Sequence, residues 1–106
     1  MTARVVQAAD NVVRIEGELD FVSVIPLRPE LERAVQSAGN QVTLDLSGVT
    51  RTNSVGLSLV LLVARILETR GGVLRLRGVP AGLQSIANVC ELDDWLLSIA
   101  EPAPAV

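Results

Sequence analysis

The feature that most constrains this chain is an apolar run of 13 residues from Val55 to Leu67, broken only by Gly56, Ser58 and Arg65. A surface helix carries a polar face opposite an apolar one, so a helix built from this run either lies deep in a domain or is covered by something else. The run falls short of the roughly 20 residues that span a bilayer, which makes it a buried helix of a globular domain. A polar knot, Arg51-Thr52-Asn53-Ser54, stands directly before it. Asn53 suits an N-cap, and Gly71-Gly72 offers a left-handed stop at the other end.

The rest of the chain supplies the layers such a helix needs. Arg4 to Ala8 and Asn11 to Glu16 are short β-branched segments around an Ala-Asp-Asn turn and predict a hairpin. The Gly17 to Asp20 stretch breaks that pattern. Apolar residues then recur at Val24, Leu27, Leu31, Ala34, Val35 and Ala38, which is helical spacing. Proline is tolerated only in an opening turn, so the regular part of this first helix is expected from Pro29 to Gly39. Val42, Leu44 and Leu46 alternate with Thr43, Asp45 and Ser47 in a strand that ends near the polar knot. A strand from Val73, a third helix opened by Pro80 and running to Val89, and a short helix from Asp93 to Ile99 follow.

The order β-β-α-β-α-β-α predicts one α/β domain over residues 1–100, with a mixed sheet of about four strands packed by three to four helices. Residues 101–106, rich in proline and alanine, are expected to be a disordered tail.

Composition removes several function classes. The 106 residues are 49% hydrophobic but only 2% aromatic, so aliphatic side chains build the core. A net charge of −3 with scattered basic residues, and only Trp95 and Phe21 for stacking, argues against nucleic-acid binding. With no histidine and a single cysteine there is no histidine-based triad, no zinc site and no internal disulfide. No phosphate-binding loop, dinucleotide fingerprint or nucleophile elbow is present. No cofactor is expected, and no enzymatic activity.

Among individual residues, Glu16, Glu18 and Asp20 alternate along a strand end, a spacing open to acid/base chemistry but better read as a solvated edge. Asp45 has two readings, a bond that orients the knot or a plain exposed strand position. Cys90 reads as a small core filler. Ser54 lies in the first turn of the long helix, where free N–H groups and the positive helix end favour an anion, a phosphate on its own hydroxyl included; it is equally a residue that simply starts a helix well. Leu57, Leu61 and Leu62 form an apolar surplus that either faces a protein partner or is buried by the first and third helices.

The stretches GELD (17–20), LDLSGV (44–49) and NSVGLS (53–58) resemble the STAS domain family, which includes anti-sigma factor antagonists. The family turn reads Asp-Ser-Ser/Thr-Gly-Leu-Gly; here Asn53, Val55 and Ser58 depart from it, while Ser54 falls on the residue phosphorylated in the antagonists. Pro26-Leu27, the Val-x-Arg insertion before the turn and LRGVPAGLQSIANV downstream are similar to the MlaB branch, the STAS subunit of phospholipid ABC transporters. That resemblance implies a non-catalytic cytoplasmic subunit, peripheral to the inner membrane, that binds an MlaF-like ABC ATPase and through it an MlaE-like permease and an MlaD-like lipid-binding subunit. The partner-binding surface it implies centres on Arg51, Thr52, Asn53, Ser54 and Leu57. Leu57 is expected there as an exposed apolar anchor, replaceable by aspartate without loss of the fold.

Overall fold

A computed structural model describes residues 3–101. Two strands, β1 (Ala3–Ala9) and β2 (Val12–Leu19), form an antiparallel hairpin. They are followed by α1 (Val24–Ser37), β3 (Gln41–Thr52), α2 (Ser54–Glu68), β4 (Val73–Arg77), α3 (Ala81–Val89) and α4 (Asp93–Ile99). The sheet runs β1-β2-β3-β4, with β2, β3 and β4 mutually parallel. A monotonic parallel order reached through right-handed crossovers sets α1 and α2 on the same face, where they pack on each other. The expected α/β domain is the one observed, with a fourth helix completing the order.

The core lies between that face and the helices. Val13, Ile15, Leu44, Leu46, Leu74 and Leu76 meet Leu27, Leu31 and Val35 of α1 and Leu59, Val60, Val63 and Leu67 of α2. The other face of the sheet carries a row in register, Arg14 on β2, Asp45 on β3 and Arg77 on β4. Asp45 is only 2% exposed, because Arg14 Nε lies 3.2 Å from its Oδ2 and the Ser47 N–H donates to its Oδ1 at 2.9 Å. Asp45 is therefore neither an exposed strand residue nor a support of the turn.

Four expectations need correction. Gly17 to Leu19 continues β2 instead of breaking it; Gly17 takes φ 108, and the pairing with β3 slips between Gly17 and Glu18. The first helix starts at Val24, with Pro29 inside it. Pro26 sits in the first turn, where no N–H is required, and the carbonyl that Pro29 leaves unbonded is that of Ile25, a residue on the exposed side of the helix. The strand expected to end near the polar knot runs into it, with Arg51 and Thr52 part of β3. Cys90 is exposed at the end of α3 and fills no core.

The ends of α2 are closed as its sequence requires. Asn53 Oδ1 accepts from the Val55 N–H at 2.9 Å. At the far end Gly71 adopts φ +68, and the Gly72 N–H reaches back to the Leu67 carbonyl at 2.7 Å. Arg70 then ties α2 to α1, its guanidinium donating to the carbonyls of Val35 (2.8 Å) and Gly39. Of the tail expected over residues 101–106, Glu101 is instead bonded to β4, following the Ala100 bridge, and residues 102–106 fall outside the described residues.

Candidate functional site

The parallel register of β2 and β3 brings two turns to one rim of the sheet. Glu18 stands opposite Arg51 and Leu19 opposite Thr52, so the β2–α1 loop and the β3–α2 turn are neighbours. Four of the five residues expected from the sequence lie at this rim. Arg51 has 81% of its side chain exposed, with Nε 3.6 Å from Glu18 Oε1. Thr52 is half-buried and donates from its hydroxyl to the Asn53 carbonyl at 3.0 Å. Asn53 caps α2. Ser54 is exposed, and its hydroxyl makes no hydrogen bond among the described residues.

Gly56 explains the tightness of this turn. A Cβ at that position would collide with Thr52 Oγ1 and touch Leu83 of α3. The absence of a side chain lets the first turn of α2 press onto the end of β3, which fixes the direction in which Ser54 points.

Leu57 does not belong to the rim. It is 4% exposed and sits in the core cluster. The outward line of α2 is instead Ser54, Ser58, Leu61 and Arg65, with Leu62 half-buried. Of the apolar surplus, Leu57 is thus buried within the domain and Leu62 half-buried, on a helix that packs against α1 and α3, and Leu61 is left 40% exposed.

The apolar component of the rim comes from the other turn. Asp20 Oδ1 accepts from the N–H groups of Val22 (2.9 Å) and Ser23 (2.7 Å). Ser23 Oγ donates to the Glu18 carbonyl at 2.8 Å and accepts from the Asp20 N–H at 3.0 Å. The Ser23 and Val22 amides hold the Asp20 carboxyl below its ordinary range. The Asp20 carboxylate and the Ser23 hydroxyl are spent on the loop's own shape, and the apolar side chains around them are exposed: Phe21 is 68% exposed, Val22 77% and Ile25, in the first turn of α1, 71%. The signal for this was in the sequence, in apolar Phe21-Val22 framed by the turn-forming Asp20 and Ser23, but helical periodicity does not weigh residues ahead of a helix.

The carboxylates Glu16 and Glu18 are in ion pairs rather than facing each other as an acid/base couple: Glu16 bonds Arg4 at 2.7 Å, and Glu18 faces Arg51. Asp45 feels opposing effects, burial pushing its carboxyl up and bonds from Ser47 and Arg14 pulling it down, with a net depression below the usual range. Beside Arg51, an open groove of about 360 Å3 runs between Val49–Thr52 and Pro80–Gly82. Among the described residues, no helix is long and apolar enough to cross a membrane.

The family model described as "Mlab, STAS domain" matches residues 3–98. No curated protein matches the chain. Among solved structures, the Bacillus cell fate determinant SpoIIAA in its phosphorylated form is similar, with a TM-score of 0.66 and 22% identity over 97% of this chain and 92% of that one. An anti-sigma factor antagonist from Mycobacterium paratuberculosis gives 0.72 and 22% over 96% and 87%. An anti-sigma-factor antagonist (STAS) domain protein from Planctomyces limnophilus gives 0.64 and 23% over 94% and 100%. At these identities the likeness establishes the fold.

Proposed function

Because the chain belongs to the STAS domain family, whose members are regulatory and binding modules, we propose that it is a non-catalytic subunit that docks on the ATPase of a phospholipid ABC transporter, as MlaB-type subunits do. The observation that carries this reading is the rim. A self-braced loop presents Phe21, Val22 and Ile25 at the same rim of the sheet as Arg51 and Ser54. Apolar groups held rigid before association lose little conformational freedom on binding, and aromatic and arginine side chains sharing one exposed rim are the residue types enriched at interface hot spots. Phe21 and Ile25 take the anchoring part first expected of Leu57, with Arg51 as a charged rim contact and Thr52 to Ser54 as a polar cap. The MlaE-like permease and MlaD-like subunit are reached through the ATPase, which would hold the domain at the inner membrane without insertion of its own.

The test is retention from native membranes on tagged wild-type protein and on Phe21→Asp, with mass spectrometry of the bound proteins. An ABC ATPase and permease retained by wild type and lost from the variant supports the reading. Retention of an anti-sigma factor in their place refutes it.

One observation favours a second reading, an anti-sigma factor antagonist: the unengaged Ser54 hydroxyl at the positive end of α2, where a phosphate is electrostatically favoured. Incubation with a switch kinase separates the two. A Ser54 phosphate that releases the partner favours the antagonist; an unmodified Ser54 removes its mechanism.

A further inference from the structure

The outer edge of β4 is partly occupied by the chain's own C-terminal segment. Ala100 forms a parallel bridge with Leu76, the Glu101 N–H donates to the Leu76 carbonyl at 2.7 Å, and Arg77 Nε lies 3.0 Å from Glu101 Oε2. Side chains alternate along a strand, so Arg75 stands two places before Arg77 on the same open face. It is exposed and has no ion-pair partner among the described residues. On the core side of the same edge, Leu67 and Glu68 of α2, Leu74 of β4 and Trp95 and Ile99 of α4 line an open groove of about 350 Å3. An incoming strand would therefore meet the sheet edge that β4 leaves unpaired before Leu76, two cations at alternate positions on one face, and on the other a trough of Leu67, Leu74, Trp95 and Ile99 with Glu68 as its one charged residue. These are the elements of recognition by strand addition.

We propose that the β4 edge is a docking site for an extended segment of a partner protein, parallel to β4 and alternating acidic with apolar residues, for which Ala100–Glu101 is a built-in stand-in that the segment displaces. Charge selects this occupant. Glu101 already satisfies Arg77 in the manner the partner's acids would, and Arg75 awaits a counterpart. The β4 strand of a second copy fits poorly: an antiparallel pair centred on Arg75 sets that residue against itself, and one centred on Leu76 sets Arg75 against Arg77. The stand-in also regulates the site, because a segment that must first displace it binds more weakly in proportion to the fraction of time the edge is free.

The probe is a blocked peptide of alternating valine and glutamate, with its valine–lysine counterpart, titrated into the full chain. Trp95, the only tryptophan, lines the groove and reports occupancy by its fluorescence. The expected results are saturable binding of the glutamate peptide, affinity roughly tenfold higher in Glu101→Ala, where the stand-in is loosened, and loss of binding in Arg75→Glu. Melting curves establish that each variant is folded. Equal binding of the lysine peptide, undiminished binding to folded Arg75→Glu, or no gain in folded Glu101→Ala overturns the proposal.

Discussion

Replacing Asp45 by asparagine keeps its shape and removes its charge. The side chain is 3% exposed and holds two contacts, the Ser47 N–H at 2.9 Å and Arg14 Nε at 3.2 Å. An asparagine oxygen still accepts from Ser47, while its NH2 group faces the guanidinium donor to donor, so the ionic bond to Arg14 is what is lost. A hydrogen bond to a charged group contributes about 1.5–3 kcal/mol. Arg14 is 37% exposed and regains water when released, which places the loss near the middle of that range, about 2 kcal/mol. Unfolding entropies of about 2.1 cal/mol/K per residue convert this to a drop of roughly 9 °C in Tm for a domain of this size. The pH dependence follows from the depressed carboxyl. A folded-state pKa below the unfolded value adds stability that is complete above the unfolded value, about 3.9, and is lost as pH falls through the folded one. Urea titrations followed by circular dichroism should thus show a wild-type advantage of about 2 kcal/mol at neutral pH that shrinks towards zero in acid. An advantage that is absent at neutral pH, or that does not change with pH, refutes the assignment of the Asp45–Arg14 bond.

Leu57→Ala should cost about 2–5 kcal/mol as a core truncation, and Leu57→Asp should fail to fold. By contrast Phe21→Asp, at an exposed position, should change stability by less than about 0.5 kcal/mol and abolish partner retention; melting curves run beside the pull-down check both. Arg70→Ala should remove the guanidinium bonds to the end of α1 and lower stability by about 2 kcal/mol, read from the urea midpoint. Ser54→Asp should leave the melting temperature unchanged or slightly raised, because a carboxylate in the first turn of a helix gains about 0.3–1 kcal/mol from the helix dipole; a fall of several degrees would show the hydroxyl to be structurally engaged.

Periodicity and punctuation made most of the fold legible. Alternation found β3, proline and glycine found the ends of α3 and α2, and Asn53 marked a cap that the structure reproduces bond for bond. What the sequence did not yield depends on which face of an element is covered. Leu57 and Leu61 are alike as letters, yet they lie about a turn apart on a helix flanked by α1 and α3, and only Leu61 reaches solvent. Asp45 looked like the polar half of an alternating strand because the arginine that buries it comes from β2, far away in the chain. Cys90 stands next to Val89 and Leu92 in the sequence, but a positive φ at Glu91 turns the chain there and it lies outside. The rim was half legible: its polar turn stood out as a motif, while Phe21, Val22 and Ile25 gain meaning only once β2 and β3 are placed side by side.

The order in which the strands join also sets a timetable for folding. The β1–β2 hairpin is local and closes within microseconds in comparable segments, but it has no core of its own. Its buried residues Val13 and Ile15 acquire a second side only when β3 arrives, and β3 cannot pair until the whole stretch from Asp20 to Asn40 has been looped out. The transition state for folding should therefore contain β2, β3 and the α1 segment between them, with β1 and α4 added on either side. Substitutions at Ile15 and Leu44 should slow refolding, whereas Leu96 on α4 should mainly hasten unfolding.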